Sequence, residues 1–163
     1  MKIAAFDLGT KLGWSILEAQ KKSLEVLEHG VLDINPRSKL SPGEQMIRLS
    51  EEIEILLNRQ SDIDRVVYEE IVFAGKFNGA KAAQKYGAIK FRLLEILARR
   101  QIEAVGMNPI HARKVALGVA RLSKEEIRSM VARLIKVRDS ELRFDDADSI
   151  VVGIAFLKEG GAL

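Results

Sequence analysis

The sequence predicts an α/β fold in which helices flank a five-stranded mixed sheet. Three apolar runs near the N-terminus are separated by short turns, which is typical of a meander of antiparallel strands. Helical and strand patterns then alternate, which is typical of an α/β sheet with crossover connections. A right-handed crossover after the meander brings the fourth strand beside the first. The expected strand order is therefore 3-2-1-4-5.

The five strands are predicted from short apolar runs bounded by turn residues. The first run ends in a lone carboxylate, Asp7, and turns at Gly9. Burying an unpaired Asp would cost several kcal/mol, so Asp7 needs a metal ion, a basic side chain or backbone N–H groups as a partner. The predicted strands cover residues 3–7, 14–17, 24–32, 65–70 and 102–105.

The helices are predicted from apolar spacing and from their N-terminal caps. Ser41 followed by Pro42 opens the first helix, and Ser123 with Glu126 forms a capping box for the fourth. The predicted helices cover about residues 42–57, 80–100, a short stretch from 109, 124–137 and 144–159.

Length and composition limit the class of protein. The 163 residues, 47% of them apolar, suit a single domain over residues 1–163. No apolar run approaches about 18 residues and no leader pattern is present, so we expect a soluble, cytoplasmic protein without membrane association. The absence of cysteine excludes disulfides, thiolate metal sites and a cysteine nucleophile.

Charge is distributed unevenly along the chain. Residues 1–70 carry 9 Lys and Arg against 13 Asp and Glu, whereas residues 71–163 carry 17 against 10. Between Lys76 and Arg121 there are ten basic residues and two acidic ones. A solvated basic surface would explain this block. It also suits a polyanion, since phosphate contacts release counterions and make binding favourable.

Carboxylates stand at the ends of apolar segments in three distant parts of the sequence. Asp7 ends the first strand, and Glu69 and Glu70 end the fourth, so these side chains meet at one sheet edge. Only one of the two glutamates can share a face with Asp7, because side chains alternate along a strand. Asp145 and Asp148 share a face at the start of the last helix.

The acidic start of the last helix has two explanations. Complementarity with the helix dipole favours each acidic residue by about 0.3 to 1 kcal/mol, which accounts for one or two of them. A cluster of four carboxylates instead requires cations, and oxygen ligands favour Mg²⁺ or Mn²⁺. Two such ions about 4 Å apart activate a water and stabilise the leaving oxygen of a phosphodiester.

The motifs together resemble one family, the RuvC Holliday junction resolvases, which have the RNase H-like fold. The shared acidic pattern is Asp7-x-Gly9 with a following Gly13, a strand ending VVYEE, and DxxD on the last helix. A basic pattern also matches, and its residues are Pro109, Arg113, Lys114, Gly118 and Lys124. The resemblance covers most of the chain in the same order.

The resemblance implies a role for each matched residue. Asp7, Glu69, Asp145 and Asp148 correspond to metal ligands, with two Mg²⁺ ions per site and Mn²⁺ as a substitute. Glu69 is preferred because it follows VVY, whereas a placement anchored on Phe73 favours Glu70.

The resemblance also implies that other matched residues lie near the DNA. Arg113 and Lys124 correspond to basic positions near the scissile phosphate, with Lys124 as a catalytic cation, and Phe73 corresponds to an aromatic that contacts bases or anchors a loop. Asp146, on the other side of the helix start, is expected to cap the helix or to support the acidic cluster. The expected DNA-binding residues are Phe73, Lys76, Lys81, Lys85, Arg113, Lys114, Arg121 and Lys124.

Three departures from the family pattern concern substrate selectivity. Leu8 stands where the family usually has Pro, the turn to Gly13 is one residue shorter than in many cellular members, and Ala120 replaces a loop glycine. This shortened form resembles phage-type or divergent members, in which the preference for four-way junctions is relaxed.

The expected function is Mg²⁺-dependent resolution of Holliday junctions by paired symmetric nicks. Two nicks related by symmetry require two active sites, so a homodimer is expected, with the helix over residues 80–100 as the contact element. One alternative is an RNase H-like nuclease of broader branched-DNA or RNA specificity, and another is a non-catalytic junction-binding module. DLGT at residues 7–10 also resembles the phosphate-binding turn of actin/Hsp70-like nucleotide-binding domains, which need two such domains.

Overall fold

The computed structural model describes residues 1–33, 40–60, 62–70 and 79–163, and the side chains of residues 79–81 are outside that description. The strands are β1 Lys2–Asp7, β2 Lys11–Gln20, β3 Ser23–Asp33, β4 Arg65–Glu69 and β5 Ala104–Met107. The helices are α1 Pro42–Arg59, α2 Gly79–Arg99, α3 Pro109–Leu117, α4 Lys124–Ile135 and α5 Phe144–Glu159, with a 3-10 turn at Asp139–Glu141.

The five strands form one sheet in the order β3-β2-β1-β4-β5, which confirms the predicted order. β2 pairs antiparallel with both β1 and β3, whereas β4 pairs parallel with both β1 and β5. Phe6 lies opposite Tyr68 in the parallel pair. The last residues of β1 and β4 therefore lie side by side at the same edge.

Helices cover both faces of the sheet because side chains of β1 alternate between two cores. Ile3 and Ala5 belong to a core shared with α3, α4 and α5. Ala4 and Phe6 belong to a core shared with α1 and α2. Asp7 continues the alternation of Ile3 and Ala5, so its side chain is on the α5 face.

α5 is apolar around most of its circumference because it is enclosed by the sheet and by α3 and α4. A Cβ on Gly153 would lie 2.6 Å from Leu17 Cδ1, so the helix backbone lies directly on the sheet. The hydroxyl of Ser149 donates to the backbone oxygen of Asp146 at 2.8 Å and shares a second, buried hydrogen bond with the hydroxyl of Ser15 at 3.1 Å. These contacts fix the position of the helix along the sheet.

Most predicted boundaries agree with the structure, and both predicted capping boxes are present at Ser41 and Ser123. β5 begins two residues later than predicted, because the turn after α2 passes through Gln101 at φ 58° and leaves Ile102 packed beside the α1 and α2 core. α4 ends earlier than predicted because Lys136 has a left-handed conformation, with φ 60°. Within the described ranges, no helix is both long and apolar enough to cross a membrane.

Candidate active site

Two of the predicted site residues lie at the carboxyl edge of the parallel strands. Asp7 is the last residue of β1 and Glu69 is the last residue of β4. Val67, two residues before Glu69, belongs to the core under α5. Because side chains alternate along a strand, Glu69 is on the same face as Asp7.

The start of α5 lies directly over this edge. Gly13 pairs with Asp7 across the β1–β2 hairpin, and a Cβ on Gly13 would lie 2.0 Å from the backbone oxygen of Asp145. Only a residue without a side chain permits this approach. The glycine therefore lets α5 bring Asp145, and Asp148 one turn later, to the strand that carries Asp7.

Glu70 lies on the opposite face of the sheet. Its carboxylate accepts two hydrogen bonds from Lys90 of α2, at 2.5 and 2.7 Å. Gly106 of β5 makes room for it, since a Cβ there would lie 2.6 Å from Glu70 Oε2. Of the two glutamates that the sequence left as alternatives, Glu69 is the one on the face of Asp7.

The four carboxylates influence one another electrostatically. Burial first, and then the charges of Glu69, Asp148 and Asp145, hold the pKa of Asp7 well above its usual value. Burial and the charge of Asp148 raise the pKa of Glu69 to about 7. Burial also raises the pKa of Asp148, with a smaller contribution from Asp145. The structure therefore brings together all four residues that the sequence predicted to cluster.

Two basic residues counteract this negative charge. Arg113 Nη2 of α3 lies 3.6 Å from Asp148 Oδ1. The charges of Arg113 and Lys124 offset part of the rise in the pKa values of Glu69 and Asp148, and Lys124 does the same for Asp7. Lys124 is exposed at the first position of α4. It therefore combines proximity to the carboxylates with access to solvent.

Asp146 supports the start of α5 from the side away from the cluster. Its Oδ2 accepts a hydrogen bond from the backbone N–H of Arg143 at 3.1 Å and lies 3.4 Å from His29 Nδ1. Burial opposes ionisation of Asp146, but His29 and Arg143 outweigh it and lower its pKa. His29 on β3 lies beside the site, and the sequence offered no signal for it beyond its position in a strand.

The other predicted DNA-binding residues are more widely distributed. Lys114 and Arg121 are exposed, and Lys85 is half-buried in a groove between α1 and α2, on the face opposite α5. Phe73 and Lys76 lie outside the described residues, as does the side chain of Lys81. Arg113 and Lys124 are the members of the described group whose charges offset the raised pKa values of the clustered carboxylates.

The donor set fits a hard divalent cation. Asp148 Oδ1 is buried and has no hydrogen-bond partner, and the other acidic groups of the cluster also offer oxygen ligands. Among the described residues, no three acidic or imidazole side chains form a ready-made ligand set around one ion. Mg²⁺ commonly binds to one or two carboxylates and completes its coordination with water and substrate phosphate oxygens. The cluster suits that kind of binding.

The raised pKa of Glu69 predicts how stability depends on pH in the metal-free protein. Between its ordinary value of 4.5 and about 7, folded Glu69 retains a proton that the unfolded chain releases. The free energy of unfolding should therefore fall as the pH rises through this window, by up to about 3 kcal/mol. Urea unfolding in EDTA across the window measures the slope. Glu69→Gln should reduce it and Glu70→Gln should not, whereas stability that rises with pH would contradict the expectation.

Solved structures share this architecture. Thermus thermophilus RuvC has a TM-score of 0.80 at 20% sequence identity, covering 99% of this chain and 98% of that chain. The yeast mitochondrial Holliday junction resolvase Ydc2 has a TM-score of 0.73 at 12% identity, covering 98% of this chain and 79% of that one. The sheet order and the helices on its two faces define an RNase H-like fold, as the sequence predicted.

A family model described as crossover junction endodeoxyribonuclease RuvC matches residues 3–156, so the chain belongs to the RuvC family. The RuvC of a Sulfurovum species is 29% identical over 160 residues, covering 97% of this chain and 96% of the relative. The RuvC of Campylobacter jejuni is 29% identical over 156 residues, covering 94% of each chain.

Proposed function

We propose that this chain is a Mg²⁺-dependent DNA endonuclease that resolves four-way junctions by paired nicks, leaving 5′-phosphate and 3′-hydroxyl ends. The observation that carries the proposal is the convergence of Asp7, Glu69, Asp145 and Asp148 on one sheet edge. A structure of Thermus thermophilus RuvC in complex with a Holliday junction substrate, with a TM-score of 0.80, supports a four-way junction as the substrate. Residues 1–163 would form one domain that acts on DNA in the cytoplasm.

The four carboxylates would hold two Mg²⁺ ions, with Mn²⁺ as a substitute. Bound divalent ions lower the pKa of an attacking water and stabilise the leaving oxygen of a phosphodiester. The protein supplies the geometry, because β1, β4 and α5 hold their carboxylates on rigid elements. Arg113 orients Asp148, and Lys124 provides a cation for the negative charge that develops on the phosphate.

A homodimer would supply the second active site for the opposed strand. α2 has an outer surface that supports this assembly, since Phe91 is 72% exposed and Ala88 beside it is exposed as well. Leu93 and Leu97 of the same helix are buried against the sheet and are not available for a partner. The exposed Ala88 and Phe91 surface is therefore the dimer contact that we propose.

The proposal is tested by cleavage of end-labelled junctions, flaps, forks and linear duplex with Mg²⁺. Symmetric nicks on the four-way junction alone are expected. Equal cutting of flaps or of RNA would favour a nuclease of broader specificity, and junction binding without cleavage would favour a non-catalytic module. An excess of inactive Asp7→Asn protein should convert paired nicks into single nicks if the active unit is a dimer, whereas monomeric enzymes would nick each strand independently.

A further inference from the structure

A cavity of about 360 Å³ lies beside the carboxylate cluster, on the side of β2 and β3. Its polar and aromatic lining comes from the strand ends under it and from the helices over it. Lys11 and Asp33 lie on the strands, Arg128 on α4, and Arg143, Phe144 and Asp145 at the start of α5. Asp145 therefore belongs both to this cavity and to the candidate active site.

Two of the cations in this cavity have side chains that are not held in a hydrogen bond or ion pair within the described part of the protein. In the part of the chain that the structure describes, Lys11 and Arg128 have no hydrogen-bond or ion-pair partner, and Arg128 Nε is buried without an acceptor. The Arg128 guanidinium lies 4.8 Å from the centre of the Phe144 ring, which fixes its orientation. A cation held in this way is prepared for an anionic ligand.

The balance of charge in the cavity favours an anion. Three cationic side chains, Lys11, Arg128 and Arg143, line it together with two carboxylates. One of these cations is already partly engaged, since Arg143 Nε lies 3.5 Å from Asp146. Lys11 lies opposite Asp33 in the β2–β3 pairing, so Arg128 is the main source of positive charge for a ligand and Lys11 adds to it.

The cavity lies close enough to Asp7 for the same DNA strand to contact both. Lys11 is two residues before Gly13 on β2 and lies on the same face, under the start of α5. Neighbouring strands are about 4.8 Å apart, so β3 is about 10 Å from β1 and its Asp7. A DNA strand whose backbone crosses this sheet edge at Asp7 would reach the cavity within a few nucleotides.

We propose that this cavity, the phosphate pocket, binds a backbone phosphate of the cleaved DNA strand a few nucleotides from the scissile bond. The inference rests on the proposed endonuclease function and extends it to a second contact on the same strand. Arg128 would donate the fork of its guanidinium to the phosphate oxygens, and Lys11 would contribute a point charge. Such a contact would fix the register of the strand over the carboxylates.

The test combines protein variants with single neutral phosphates in the DNA. Junctions carrying one methylphosphonate at successive positions around the cleavage site are titrated in EDTA, so that binding is measured without cleavage. Wild type should lose about tenfold in affinity at one position, as expected for one charge-assisted hydrogen-bonded contact. Arg128→Met should bind the unmodified junction about tenfold more weakly and lose nothing more at that position. The slope of the logarithm of its binding constant against the logarithm of the salt concentration should be smaller than that of wild type by about one, because one fewer counterion is released.

Arg133→Met is the matched control, because Arg133 is an exposed arginine on the same helix and does not line the cavity. It should keep the wild-type profile of phosphate positions. Arg128→Lys should recover part of the affinity, and thermal unfolding of each variant checks that the fold is intact.

The phosphate pocket is rejected if a folded Arg128→Met protein retains the wild-type profile at every position. A wild type that cuts junctions, with no position coupled to Arg128, would reject the pocket alone. A wild type that does not bind junctions would reject the proposed function as well.

Discussion

Glu69→Gln is expected to lower the rate of junction cleavage by about a thousandfold or more, since a carboxylate that holds an essential metal ion contributes several kcal/mol to transition-state stabilisation. Asp7→Asn should have an effect of the same size. Glu70→Gln should retain cleavage within a few-fold, because Glu70 lies on the opposite face of the sheet and pairs with Lys90. Single-turnover cleavage of an end-labelled junction measures all three variants.

Measuring the affinity for junction DNA distinguishes a loss of catalysis from unfolding of the protein or disruption of its DNA-binding surface. Glu69→Gln and Asp7→Asn should bind the junction in EDTA at least as tightly as wild type, because neither substitution adds negative charge near the DNA. If Glu70→Gln were inactive and Glu69→Gln retained full turnover, Glu70 and not Glu69 would be the metal ligand.

Gly13→Ala is expected to cause the second large effect. The added Cβ would lie 2.0 Å from the backbone oxygen of Asp145, and backbone cannot rotate away as a flexible side chain can. Moving α5 should cost about 1 to 3 kcal/mol in stability, as overpacking does. Cleavage should fall by about a hundredfold, since displacing reacting groups by about 1 Å can cost that much. Denaturant unfolding and single-turnover cleavage measure the two effects.

Gly43→Ala provides the comparison for this substitution. A Cβ on Gly43, in the first turn of α1, would have no atom within 4 Å. Its stability and cleavage should remain close to wild type. If Gly13→Ala matched Gly43→Ala in both measurements, the close approach of α5 to β2 would have no part in forming the site.

The strand order was predictable because hydrophobic alternation and crossover handedness are local or general properties. The end of α4 was not predictable. It depends on a left-handed backbone conformation at Lys136, and a lysine does not indicate that conformation in the sequence as a glycine would. The predicted start of β5 was two residues too early. The observed start is set by the pairing of Val66 with Ala104, and pairing between strands is a tertiary property that the local sequence does not show.

The candidate site was predictable to the level of residue type and element. Acidic residues at strand ends indicated where Asp7 and Glu69 would lie, but two adjacent glutamates could not be distinguished from the sequence alone. The distinction depends on Lys90, twenty residues away on α2, which holds Glu70 on the other face. Sequence reasoning did not single out Lys11 and Arg128, because isolated basic residues carry no motif, and the phosphate contact proposed for them depends on the packing of Arg128 against Phe144.

The close contact of α5 with β1 and β2 has a consequence during protein synthesis. Domains form progressively as the chain leaves the ribosome, N-terminal segments first. Asp7 and Glu69 emerge early, whereas Asp145 and Asp148 emerge on the final helix. A partly translated chain therefore holds only two of the four clustered carboxylates and lacks the helix that covers one face of its sheet, so the complete site forms only after translation has passed residue 148.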